Sequence, residues 1–211
     1  MPIHKEIKNI IFDLGGVLLN LDVDKTYQQF SSISGKSVAH LRSEAYNLSF
    51  FNDYEEGLIS DDDFRKELRV FLNKEVSDSE IDFAWNAMLL DLPISKVKLL
   101  ERLRGEYSIF LLSNTNNIHL QCFTGIVNKA FGINSLDHYF DRTYYSHVLK
   151  MRKPNVEIYQ HVLKTNNLVA QETLFLDDNE SNLKGAAQVG IQTYHVMHPD
   201  HVFTFFNEPA H

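Results

Sequence analysis

Apolar positions along this chain follow two rhythms. Asn9 to Phe12 lies in a short run of β-branched and aromatic residues with no charge before Asp13, which is how a strand buried on both faces reads. Tyr107 to Leu112, Arg142 to Tyr145, Thr173 to Leu176 and Gln192 to Val196 read as further strands. Between them the apolar residues return at helical spacing. One helix runs from Ser95 to about Arg104 and stops at Gly105, and a second runs from about Asn117 to Lys129, before an irregular stretch with Gly132. Pro154 opens a third, which carries Ile158, Val162 and Leu163, and a fourth runs from about Ser181 to Gly190. Strands separated by helices of this length predict an α/β fold, a doubly wound and mostly parallel sheet with right-handed crossovers and helices on both faces.

Leu21 to Leu92 departs from that alternation and is helical throughout. Ser60-Asp-Asp-Asp63 and Ser77-Asp-Ser-Glu80 read as capping boxes, each followed by apolar residues at helical spacing. Ile81, Ala84, Trp85, Met88 and Leu89 fall on one face, and Trp85 reads as core. The chain thus divides into an α/β core over residues 1–20 and 93–211 and a helical insertion over 21–92. The acidic run from Asp53 to Asp63 reads mainly as a solvated face and helix N-termini, while Glu55 and Glu56, before Gly57, have the alternative of a loop facing the site.

Composition narrows the function classes. A formal charge of -8 and a pI near 5.6 give no general attraction to nucleic acid or to an anionic membrane. No apolar stretch approaches the roughly 20 residues that span a bilayer, and the first residues, Met-Pro-Ile-His-Lys-Glu-Ile-Lys, lack the apolar core of a signal peptide. The one cysteine, Cys122, excludes an intramolecular disulfide and reads as a small helical side chain. The expectation is a cytoplasmic protein acting on a small molecule, with its oligomeric state open.

Chemistry gathers at the strand ends. Gly15 and Gly16 let the backbone turn sharply after Asp13, and ligands of open parallel sheets bind at that edge. Ser113 with Asn114, Lys153, and Asp177 with Asp178 arrive at the same edge from later segments. Taken singly, each has a plainer account: a turn former, a helix cap, a surface lysine, a charge pair at a helix start. Together they suit phosphoryl transfer. Carboxylates from two strands can hold Mg²⁺, a lysine and small donors can neutralise phosphate oxygens, and Asp13 can attack phosphorus to give an aspartyl-phosphate.

These segments resemble the four motifs of the haloacid dehalogenase (HAD) superfamily, in order. Phe-Asp-Leu-Gly-Gly-Val-Leu is similar to the first, Leu-Ser-Asn-Thr-Asn to the second, Met-Arg-Lys-Pro to the third and Phe-Leu-Asp-Asp-Asn-Glu-Ser-Asn to the fourth. Residues 151–163 and 175–179 resemble most the bacterial phosphatases of the α-D-glucose-1-phosphate phosphatase type. The resemblance implies a Rossmann-like core with the insertion as a helical cap, and Mg²⁺ as cofactor. It also implies Asp13 as nucleophile and metal ligand, the Gly15 carbonyl as a second ligand, Asp178 on the metal with Asp177 beside it, and Ser113, Asn114 and Lys153 on the phosphate of a small phosphorylated metabolite.

One position departs from the pattern. Most phosphatases of the superfamily carry a second Asp two residues after the nucleophile, as general acid and base, where this chain has Gly15. Losing such a group is worth roughly 10² to 10⁴ in rate. Three functions fit: a phosphatase whose substrate has a good leaving group, such as a sugar 1-phosphate; a 2-haloacid dehalogenase, whose halide leaves unprotonated; or a non-catalytic binding or regulatory protein. His195, His198 and His201 read as surface histidines rather than zinc ligands, since Pro199 breaks any common helical face.

Overall fold

The computed structural model describes residues 7–206, so the signal-peptide expectation for residues 1–6 and the end of the tail, 207–211, lie outside the described residues. The central strand β1 (Asn9–Phe12) is followed by five helices of the insertion: α1 (Val23–Ser34), α2 (Val38–Ala45), α3 (Phe50–Glu55), α4 (Asp61–Leu72) and α5 (Asp78–Asn86). The chain continues as α6 (Ile94–Leu103), β2 (Ser108–Ser113), α7 (Asn117–Phe131), β3 (Arg142–Tyr145), α8 (Ser146–Leu149) and α9 (Val156–Thr165). It ends with β4 (Thr173–Asp177), α10 (Glu180–Gln188), β5 (Gln192–His195) and α11 (His201–Phe205).

The strands form one sheet in the order β3-β2-β1-β4-β5, and every pairing is parallel. Side chains alternate across it, as a strand's two-residue period requires. Ile10, Phe12, Ile109, Leu111, Leu174 and Leu176 pack on one face with α6 and α7, while Ile11, Phe110, Leu112 and Phe175 pack on the other with α9 and α10. Burying each such side chain contributes roughly 1.5–3 kcal/mol, which is why the middle of each of these strands is apolar and polar residues stand only at the ends. Phe12 stands opposite both Leu111 and Leu176, so Asp13 and Asp177 end level at one edge of the sheet.

The insertion has its own apolar cluster around Phe30, Phe64, Leu68 and Trp85, joined by Ile118 from α7. Polar contacts fasten it to the core. Asp61 accepts hydrogen bonds from the Tyr54 hydroxyl and the Asn117 amide, both at 2.7 Å, so this member of the acidic run is a structural link as well as a first-turn acid of α4. The Trp85 ring stacks on His119 at 4.6 Å and 12°. His119 accepts from Asn116 at Nδ1 and donates from Nε2 to the Trp85 carbonyl, and burial holds it neutral, with its pKa pulled down to about 4.

The sequence expectations need three corrections. Pro154 does not open α9: Asn155 is the N-cap, and Pro154 belongs to the preceding turn, joined to Lys153 by a cis peptide bond. Ser77 and Glu80 form a complete capping box, but Ser60 and Asp63 make half of one. Asp63, a methylene shorter than Glu, bonds the Ser60 hydroxyl instead of its backbone N–H. Met88 and Leu89 lie beyond the end of α5, and Leu89 bridges back to Leu21. The tail, unassigned from sequence, contains α11, whose Val202 and Phe203 complete the core cluster. Lys96, fully buried, ties that tail down by donating to the Val17 and Pro199 carbonyls, and burial lowers its pKa to about 8. Among the described residues no helix is long and apolar enough to cross a membrane.

Candidate active site

Three charged side chains from distant parts of the chain meet at the strand edge. The Lys153 ammonium donates to Asp13 Oδ1 and to Asp177 Oδ2, each at 2.7 Å, and all three residues are buried. Asp13 is positioned by its own N–H, which donates to the Leu176 carbonyl at 2.9 Å and continues the β1–β4 ladder one residue past the strand. Burial drives the Asp13 carboxyl up to about 7, against the pull of Lys153 and with the push of Asp177 and Asp178. For Lys153 burial acts downward, but Asp13 and Asp177 outweigh it and hold the ammonium above its ordinary value. Asp177 is saturated: its oxygens also accept from the Asn179 N–H at 2.8 Å and from the Asn182 amide.

Asp13, Asp177 and Asp178 each offer an oxygen within 4.8 Å of the others. That donor set is all oxygen and net negative, as a hard divalent cation such as Mg²⁺ requires. Burial and the charge of Asp177 also raise the Asp178 carboxyl. Gly16 makes the crowding possible. It adopts φ +74°, and a Cβ there would sit 2.4 Å from Asp178 Oδ2. The residues present therefore fit the magnesium that the sequence implies.

Asn114 makes a reciprocal amide clamp on the Lys153 backbone: its Nδ2 donates to the Lys153 carbonyl and its Oδ1 accepts the Lys153 N–H, both at 2.9 Å. The side chain is thus committed to placing the lysine. Ser113 is buried at the end of β2, with a 3.5 Å contact from its hydroxyl to the Asn114 carbonyl. The loop rests on α10, where Gly185 allows the closest approach; a Cβ there would lie 2.2 Å from the Pro154 carbonyl oxygen. In an ordinary helix Gly→Ala stabilises by roughly 0.5–1 kcal/mol. Here overpacking, roughly 1–3 kcal/mol, outweighs that gain. We expect Gly185→Ala to lower both the melting temperature and kcat, measured by thermal denaturation and steady-state assay; a higher melting temperature would contradict this packing.

Two cavities open from this point. One, of about 460 Å³, is polar and lined by Asp13, Gly15, Asn114, Lys153, Asp178 and Asn182 among others. A larger one, of about 620 Å³, lies between the insertion and the sheet edge and is bounded by Ser113 and Thr115 on the core side. Gly15, Leu21, Glu55 and Asn114 line both.

The profile of the haloacid dehalogenase-like hydrolases matches residues 7–190. The chain belongs to the haloacid dehalogenase-like hydrolase family. It is 34% identical to a D-ribitol-5-phosphate phosphatase of Bacteroides thetaiotaomicron over 189 residues, 89% of this chain and 91% of the relative. A HAD family enzyme of the same organism, solved with magnesium and inorganic phosphate, is 40% identical and superposes with a TM-score of 0.79, covering 90% of this chain and 93% of that one. A HAD-like family hydrolase from Porphyromonas gingivalis is 31% identical, with a TM-score of 0.79 and coverage of 90% and 91%.

In this HAD-like hydrolase, sequence reasoning brings Asp13, Gly15, Ser113, Asn114, Lys153, Asp177 and Asp178 to one edge, and the structure brings them together there. It left open the part taken by the insertion. Glu55, at the end of α3, accepts from Arg152 at 2.9 Å, and its carbonyl accepts from the Ser146 hydroxyl at 2.5 Å. Glu55 lines both cavities, but from the end of a helix and not from the site-facing loop that the sequence offers for it and Glu56. Arg152 and Asn182 lie within the third and fourth motif segments, and the sequence assigns them no role. Asn182's place five residues after Asp177, in the first turn of α10, was the available signal. His195 is exposed and contacts the Asp178 carbonyl at 3.0 Å, and no cluster with His198 and His201 forms among the described residues.

Proposed function

We propose that this hydrolase is a magnesium-dependent phosphatase of small phosphomonoesters that works through an aspartyl-phosphate on Asp13. The observation that carries the proposal is the Lys153 ammonium 2.7 Å from Asp13 Oδ1, beside the three-carboxylate cluster. The Bacteroides relatives, one a phosphatase by name and one solved with magnesium and inorganic phosphate, support it. Bound Mg²⁺, held by Asp13, Asp178 and the Gly15 carbonyl with Asp177 behind them, supplies positive charge for the phosphate oxygens and keeps the carboxylates ionised.

The chain's own residues do the rest. Lys153 favours the ionised form of Asp13 against burial, so that an oxygen lone pair is available for attack on phosphorus. As the new Asp13–phosphorus bond forms, the ester P–O bond breaks and the alkoxide leaves. Lys153 and the Ser113 hydroxyl face the charge on the transferring group, while Asn114 fixes the lysine's backbone. Water then cleaves the aspartyl-phosphate and restores the carboxylate.

Gly15 brings no acid to the leaving oxygen, so departure depends on the alcohol's own acidity or on water. An anomeric or phenolic oxygen meets that condition most easily, and a simple alkanol relies on water. We expect p-nitrophenyl phosphate hydrolysis that EDTA abolishes, and a steep fall in rate across substrates of rising leaving-group pKa. Gly15→Asp flattens that slope; the Leu21 Cδ1 atom 2.6 Å from the new Cβ belongs to a partly exposed side chain that can turn aside. EDTA-resistant turnover, or a flat slope in the unaltered protein, would overturn this. A 2-haloacid dehalogenase needs no such cluster of acids, and its carboxylate substrate would meet their repulsion.

A further inference from the structure

We infer that the leaving group this phosphatase accepts has an apolar body, alkyl, isoprenoid or aryl, seated in the cavity of about 620 Å³ between the insertion and the sheet edge. The inference rests on the phosphatase proposal and adds the class of alcohol. The larger cavity adjoins the polar one through Gly15, Leu21, Glu55 and Asn114, so an ester whose phosphate sits by Asp13 and Lys153 directs its alcohol there.

The walls decide what fits. Phe30, Leu48, Phe51, Trp85, Met88 and Leu89 supply apolar surface. Several of the polar groups among them are bonded within the protein. The Thr26 hydroxyl donates to the Trp85 carbonyl at 2.9 Å and accepts the Met88 N–H. Both ring nitrogens of His119 are bonded, and the Asn114 amide is spent on Lys153. Glu55 is paired with Arg152, and Arg42 with Asp24. Tyr46 and Asn52 are exposed, at the solvent side. The hydroxyls of Tyr27, Ser113 and Thr115 also line the cavity, too few to replace the water that a polyol, with a hydroxyl on each carbon, would give up. An apolar chain of the same length gains from burial at every carbon.

The test compares kcat/KM for ethyl, butyl and hexyl phosphate, whose leaving groups have nearly equal pKa, with ribitol 5-phosphate, all with Mg²⁺. We expect about a fourfold rise per added methylene until the cavity is full, and hexyl phosphate well above ribitol 5-phosphate. In Ala45→Phe, whose ring enters the cavity, the hexyl-to-ethyl ratio falls towards one; because it is a ratio, partial unfolding does not disturb it. Calorimetric binding of hexylphosphonate and ethylphosphonate separates the two claims. If no phosphate ester turns over yet hexylphosphonate binds more tightly, the phosphatase proposal falls and the apolar site stands. A ratio near one in the unaltered protein, equal binding of the two phosphonates, or a preference for ribitol 5-phosphate overturns the inference.

Discussion

Asp13→Asn is expected to lower kcat for p-nitrophenyl phosphate by roughly 10⁴ or more while leaving the protein folded. The size follows from the role: removal of a nucleophile leaves only binding and positioning, and effects of this order are usual for such groups. The fold survives because the amide keeps the shape of the carboxyl and because Asp177 remains to pair with Lys153. Stability gives a second, independent readout. Burial raises Asp13 from its ordinary 3.8 to about 7, so between those pH values the metal-free folded protein holds a proton that the unfolded chain has released. The contribution is therefore fully present below pH 3.8 and is lost as pH rises through about 7. In Asp13→Asn this dependence disappears. Without Mg²⁺ at pH 8 the variant should be at least as stable as the parent, and its melting temperature should fall less between pH 5 and pH 8. A variant that retains turnover would remove Asp13 as nucleophile. One with full activity loss but the parent's pH profile of stability would leave the chemistry and remove the electrostatic account.

The strand edge was legible because its causes are local. A buried strand must be apolar to its end, so the first charge after Asn9 to Phe12 marks where the chain leaves the sheet, and Gly15 and Gly16 mark the turn. The same logic placed Ser113 and Asp177. Contacts between strand ends were not legible, since Lys153 reaches Asp13 across 140 residues of sequence and only the β3-β2-β1-β4-β5 order sets that approach. Sequence offers Lys153 as a phosphate ligand, and its ion pairs with the two carboxylates are added by the structure. Glu55 shows the limit differently: Gly57 marks it and Glu56 out from the other acids, but nothing local tells which of the two faces Arg152. The short helix α11 lacks a side-chain cap, and it exists because Val202 and Phe203 find the core, a tertiary reason that no window of sequence contains.

Lys153→Met carries the largest expected effect on the fold. Methionine has nearly the length of lysine, so packing against Phe175, whose ring lies 5.2 Å from the ammonium, is largely kept and the change isolates the charge. Two carboxyls, both buried, then lose their counterion, and breaking a buried ion pair from one side destabilises by about 3–5 kcal/mol. For a chain of this size that corresponds to a melting temperature lower by roughly 10 °C. The sign with pH follows from Asp13. Without the ammonium its carboxyl is held higher still, so near pH 5 it stays protonated and the loss is smaller than at pH 8, where two neighbouring charges must be borne or one neutralised. Mg²⁺ restores part of the stability, because it replaces positive charge at the same carboxylates, but not the rate, because the ammonium aimed at the transferring group is gone. Thermal melts at pH 5 and pH 8, each with and without Mg²⁺, read all of these. An equal loss at both pH values would mean that the variant fails by packing and that the Asp13–Lys153–Asp177 triangle is not the electrostatic centre on which this site depends.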